Sequence, residues 1–360
     1  EMCIRDRIFL LIVSVGFIIL FFSAPSLMGE GVRSGLFLCG ETVIPSLFPF
    51  MILSDYTVRS KFGNVIGRLF SPLTEKAFKL PGCSACAIIM SLIGGFPVGA
   101  KMISQLYEGD YLSASQAKRM MWFCVNSGPA FVVGAVGATM LSNKKCGIIL
   151  FVSQTFAALI IGFFSRFFLK KNNKKVAAKK HEIDASVLTD SVSCATGAML
   201  NICAWILLFS AFNPFLVKLA EKNPLFNAAV VMSEVTGGCA FAAVHLPACL
   251  IAPVLCWSGF AVHMQLLPYI KKVGMSLPEF WLSRAVNCLV VLPIAFLLFK
   301  IFPCEVQVFS SFSDVIVKPY SVSVPASVAM LILGAFTIID INLATDRKAV
   351  SYTHLRAHET

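Results

Sequence analysis

The chain has 360 residues, of which 57% are hydrophobic and 14% charged, and a mean hydropathy of +0.80. A soluble domain carries about 25% charged residues, and one of this size cannot hide so much apolar surface. The composition therefore excludes a soluble enzyme, a nucleic-acid-binding domain and a disordered chain, and leaves a polytopic all-α membrane protein. The formal net charge of +11 does not point to nucleic acid, because the bases sit between apolar runs, where the positive-inside rule puts them.

The chain opens on EMCIRDR (1–7), which matches neither the composition nor the pattern of the body and reads as a non-native leader. The first apolar run, Ile8–Met28, is too long for a signal peptide and reads as a first transmembrane helix over 8–30. A spanning helix needs about 20 mostly apolar residues. By that measure further spans begin at Gly35–Met51 and fall at Met121–Leu141, Cys146–Leu169, Val192–Phe215, Ala248–Ile270, Phe280–Phe299 and Pro325–Leu343, giving about eight in all. The basic segment 170–190, with KKNNKKVAAKK at 170–180, is a polar linker. It separates a first half (34–169) from a second (191–300). An external loop (301–324), a last helix (325–345) and a second foreign-looking stretch (349–360) follow.

Two apolar stretches do not suit a continuous span. Cys83–Leu106 is interrupted by Gly94, Gly95, Pro97 and Gly99, and Leu225–Pro247 by Gly237, Gly238 and Pro247. Glycine pairs and proline break helices, and backbone opened inside a bilayer must be buried in protein or line a cavity. Both stretches therefore read as re-entrant helical hairpins, or as spans broken at mid-depth. With the N-terminus inside and each hairpin returning to its own side, Arg59, Lys61, Arg68, Lys76, Lys79, Lys118, Arg119, the linker, Lys271, Lys272, Arg347 and Lys348 are cytoplasmic. Both termini are then cytoplasmic and the positive-inside rule is satisfied. Near Ser113, SASQAKRM reads as a helix start with a capping box from Ser113 to Gln116.

The halves resemble each other. SLIGGFPVGAK (91–101) parallels SEVTGGCAFAA (233–243), CVNSGPAFV (124–132) parallels CWSGFAVH (256–263), and VSQTFAALIIGFF (152–164) parallels LSRAVNCLVVLPI (282–294). In the topology above the second pair runs in opposite directions, so the repeat is inverted. Inverted repeats with broken helices in matching places point to a secondary transporter with its site near the midplane.

A broken helix exposes backbone N–H groups that suit an anion. The first half offers Gly95, Pro97, Gly99 and Lys101 at one break, and Asn126, Ser127 and Gly128 before Pro129 at another. The second half offers Glu234, Thr236, Gly237 and Gly238, then Ser258 and Gly259. Arg284, near the start of an apolar run with Asn287 one turn on, either snorkels to the interface or serves as a counter-charge for a carboxylate. Glu234 either binds a coupling cation or proton, or lies at a hairpin mouth. His245 and His263 read as core or interface residues. Most of the 13 cysteines lie in apolar runs as small hydrophobes, and Cys83–Cys86 lacks the further ligands a metal site needs. No nucleophile–base pair, phosphate-binding loop or dinucleotide fingerprint points to an enzyme. No cofactor is implied, and proton or sodium coupling stays open.

The motifs G-x-P-x-G-A-K (95–101) and F-C-x-N-S-G-P (123–129) resemble the sporulation integral membrane protein family of the YlbJ type, over about residues 8–345. The resemblance implies a nucleoside-recognition, or gate, domain in the first half and a layout like that of concentrative nucleoside transporters. It further implies a role in endospore formation, in the outer forespore membrane, moving dipicolinic acid from the mother cell toward the forespore. A nucleoside or nucleobase carrier and a non-transporting scaffold in spore assembly are the alternatives. The partners expected are the small organic anion and the lipid bilayer, with no nucleic acid; self-association stays open.

Overall fold

A computed structural model of the chain describes residues 19, 22–59, 62–168 and 186–304. The expected leader and tail, most of the first span, most of the linker, nearly all of the external loop and the whole last span lie outside them. Among the described residues all regular structure is helical. In chain order the helices are α1 (Pro25–Leu38), α2 (Ile44–Arg59), α3 (Phe62–Leu73), α4 (Ser84–Gly94), α5 (Phe96–Glu108) and α6 (Ala114–Phe123). There follow a wider π-wound segment Ala130–Met140, α7 (Lys144–Ser165), α8 (Ser186–Lys222), α9 (Asn227–Ser233), α10 (Val235–His245), α11 (Ile251–Trp257), α12 (Gly259–Lys272) and α13 (Leu277–Ile301).

α1 and α2 join through a π turn at Cys39–Val43, where the Ile44 amide reaches the Cys39 carbonyl. Pro45 follows; it has no N–H to continue the ordinary ladder, and the helix accommodates it by widening. This long rod packs antiparallel on α8. Gly31 lies on the backbone of Ser210 and Ala211, and Gly35 on Ser210 and Leu207. Close approach through small residues is how helices associate where no hydrophobic effect drives them together.

Among the described residues four helices are long and apolar enough to cross a membrane: Lys144–Ser165, Val187–Lys222, Ala248–Lys272 (α11 and α12 with the turn before them) and Leu277–Ile301. Their outer faces carry large apolar side chains, with Leu200, Leu289 and Phe296 each more than 60% exposed. In water such faces mark an interaction surface; here they suit hydrocarbon. The expected span Met121–Leu141 is in two pieces. α6 stops at Phe123, residues 124–129 are non-helical, and only the eleven-residue wide segment follows.

Both interrupted stretches double back. A Cβ added to Gly99 would lie 3.2 Å from the Cα of Ser91, and one on Gly238 3.2 Å from the Cα of Val231. Along an unbroken helix those pairs would stand about 12 Å and 10 Å apart. The first turn is at Gly95, whose φ of 83° and ψ of −172° fall in a region open essentially only to glycine. The second corrects the expectation from sequence. It is at Glu234, in extended conformation, while Gly237 and Gly238 lie inside α10. Those glycines serve contact instead, Gly237 against Asn213 and Gly238 against the backbone of Val231. The capping box is present in full: the Ser113 hydroxyl accepts from the Gln116 amide, and the Gln116 side chain accepts from the Ser113 amide.

Gly259 has φ of 77°, and a Cβ there would stand 2.8 Å from the Val235 nitrogen. Gly259→Ala should therefore destabilise the fold by about 1–3 kcal/mol, whereas Gly134→Ala, with nothing within 4 Å, should be neutral. Thermal unfolding of the two variants in detergent checks the difference.

Candidate functional site

Each hairpin tip meets an interrupted helix. At the first tip, a Cβ on Gly95 would lie 3.1 Å from the Gly128 nitrogen, and one on Gly128 3.1 Å from the Ile93 carbonyl oxygen. At the second, Gly259 packs on Glu234 and Val235. Ser258, the residue before it, is also left-handed, with φ of 69°. Between the tips lies a cavity of about 70 Å³. Gly95, Phe96 and Pro97 line one wall with Gly128 and Phe131, and Glu234, Val235 and Thr236 line another with Val262 and Gln265. Val43 and Leu47, near the join of α1 and α2, and Ile202 and Ile206 on α8 line the remainder. The volume suits a few water molecules and is well below the roughly 300–1,000 Å³ of small-molecule sites.

Of the residues singled out from sequence, the cavity thus brings together Gly95, Pro97, Gly128, Glu234 and Thr236. The two tips differ electrically. The Glu234 carboxylate accepts from the amides of Thr236 (2.9 Å) and Gly237 (2.7 Å) and so caps its own helix. The anion-binding groups of α10 are already occupied by this resident carboxylate. α5 has no side-chain cap, and Pro97 sits in its first turn.

The other candidates hold the walls. Gly99 lies against the Cys124 carbonyl and Ser91, where a side chain would not fit. Asn126 is buried and donates to the Phe123 carbonyl at 2.7 Å. Ser127 is buried with its hydroxyl unpartnered, and its carbonyl accepts from Gln154 at 2.5 Å. Lys101 is buried outside the cavity wall, its ammonium 3.4 Å from the carboxylate of Asp55.

Arg284 neither reaches the surface nor lines the cavity. It is 0% exposed and reaches across from the second half to the end of α6. Its guanidinium donates to the carbonyls of Val125, Met121 (3.3 Å) and Trp122 (2.8 Å), and Asn287 donates to Trp122 at 2.8 Å. A helix end leaves its last four carbonyls without internal partners. Here the amide of Cys124 serves Met120, Arg284 serves Met121, Arg284 and Asn287 share Trp122, and Asn126 serves Phe123. His263, buried among aromatic rings, contacts the Trp257 carbonyl through Nε2 at 2.7 Å and so completes the end of α11.

No family profile and no solved structure matches the chain. The sporulation integral membrane protein YlbJ of Bacillus subtilis (strain 168) does, with 25% identity, covering 77% of this chain and 79% of that protein. The chain is an integral membrane protein related to YlbJ.

Sequence reasoning missed Asp55 and Gln265. Asp55 stands just past Met51, where the apolar run was ended, and an acid so close to a span was the available signal. Gln265 is one polar residue in an apolar stretch of this YlbJ relative, and only the fold turns it to the cavity.

Replacing Arg284 leaves carbonyls unpaired in an apolar interior, at about 1–3 kcal/mol each. Arg284→Met, which takes the guanidinium from Met121 and Val125 while Asn287 still serves Trp122, should cost about 2–6 kcal/mol, and Arg284→Lys should not rescue it, since an ammonium cannot reproduce the guanidinium fork. The yield of monodisperse protein on fluorescence-detected size exclusion checks both.

Proposed function

We propose that the protein is a secondary carrier for a small organic anion, dipicolinate, moved from mother cell toward forespore. In this reading its two hairpins end inside the bilayer in an inverted repeat. The observation that carries the proposal is the convergence of two helix-breaking tips and two interrupted helices on one small cavity. Broken helices around a shared site are what secondary carriers use to present backbone groups to a substrate at mid-depth. Kinship with a sporulation membrane protein supports the cellular setting.

The asymmetry between the tips orients the substrate. The uncapped start of α5, with the Gly128 amide beside it, is the seat for a carboxylate. Glu234 fills the corresponding seat opposite. A dianion entering a cavity that already holds a carboxylate meets repulsion, which a cation or proton arriving at Glu234 relieves. Glu234 is therefore the coupling residue of this mechanism. A volume of about 70 Å³ is too small for the substrate, so in this mechanism loading the site requires the hairpins to part.

Uptake of labelled dipicolinate into proteoliposomes under proton and sodium gradients tests the proposal. Uptake should exceed that of empty vesicles under one of the gradients, and excess uridine should not compete. Val262→Phe, which adds bulk to the small cavity, should lower uptake at least tenfold with membrane abundance unchanged. Glu234→Gln should abolish the dependence on the ion gradient. Absence of flux under every gradient would count against a carrier, and competition by uridine would reassign the substrate to nucleosides.

A further inference from the structure

A polar seam runs from the cavity to the protein surface between α5 and α12. On α5, Lys101, Gln105 and Glu108 follow one another at four- and three-residue steps, and on α12 so do Gln265, Tyr269 and Lys272. That spacing keeps each set on one helical face. Gln265 lines the cavity. At the far end Glu108 and Lys272 form an exposed ion pair at 2.8 Å. Between the ends, Asp55 of α2 meets Lys101 at 3.4 Å and accepts from Gln105, with Tyr269 in electrostatic reach. Lys101 and Asp55 are 3% and 0% exposed.

Such a pair needs a reason. Apolar residues of the same shape usually pack in its place without loss, and ionisable groups inside a membrane protein mark ion or substrate paths. The pair is also poorly made. Its separation exceeds the 2.7–2.9 Å of a charge-assisted hydrogen bond, and the ammonium makes no hydrogen bond at all. Lys101 follows the cavity-lining Pro97 by four residues, so it stands on the same face about 6 Å further along. Parting α5 from α12 wets polar groups, whereas opening an apolar interface exposes hydrocarbon.

We infer that Lys101 is a second station for the transported anion, one helical turn from the cavity, where Asp55 holds the place of a substrate carboxylate until the seam opens. The inference rests on the carrier reading and adds to it a route and a counter-ion. Gln105 keeps Asp55 in position once its lysine turns to the passing anion.

The test compares the parent protein with Asp55→Asn, Lys101→Met and the double variant. Each is assayed for dipicolinate uptake in proteoliposomes and for calorimetric dipicolinate binding in detergent. Methionine and asparagine keep approximate shape, and the double variant removes both charges of the pair together. Lys101→Met and the double variant should both raise KM at least tenfold, and Asp55→Asn should lower it several-fold. A double variant with the parent's KM would show the pair to be structural and overturn the inference, leaving the carrier reading intact. A parent protein that neither binds nor moves dipicolinate would overturn both.

Discussion

Backbone groups released by a break in a helix must find partners, and in an apolar surround only the protein can supply them. This requirement organises the molecule around residues 120–129. The carbonyls left bare where α6 stops are met by a guanidinium and an amide from α13, by Asn126, and, past the break, by Gln154 of α7. Helices from both halves of the chain thus converge on one stretch of non-helical backbone. At the opposite break His263 and the Ser258 hydroxyl meet the Trp257 carbonyl. The polar residues of this interior are largely spent on holding chain interruptions open.

The architecture was partly legible in the sequence because its main signals are local. Apolar run length marks α7, α8 and α13, and Gly95 with Pro97 marks the first turn-back. The capping box was readable from Ser113 and Gln116 alone. The second turn-back was misplaced because its signal is a side chain, Glu234, bonding to its own helix start, whereas the glycines beside it look like breakers and act as packing surfaces. Within Met121–Leu141 the break at Asn126–Pro129 is legible from its glycine and proline, whereas hydropathy is blind to the pairing of the carbonyls it leaves.

The candidate site was less legible, for a different reason. Gly95, Gly128 and Glu234 advertise themselves as irregularities in apolar sequence, and the cavity gathers them. Lys101 and Arg284 advertise themselves just as loudly, yet one is paired with Asp55 and the other serves α6. A charge in an apolar run shows that something must compensate it; which group does so is settled by contacts far along the chain. Asp55 and Gln265 show the converse, since modest polar residues gain meaning only from the helices that face them.

The seat of Arg284 on the Val125 carbonyl, 159 residues earlier in the chain, bears on how the protein is made. At a synthesis rate of about 5–20 residues per second, the end of α6 waits roughly 8–30 s for its guanidinium to be translated. During that interval the Met121 and Val125 carbonyls lack the guanidinium they bond in the finished fold. The end of α6 therefore reaches its final bonding only once α13 has been made.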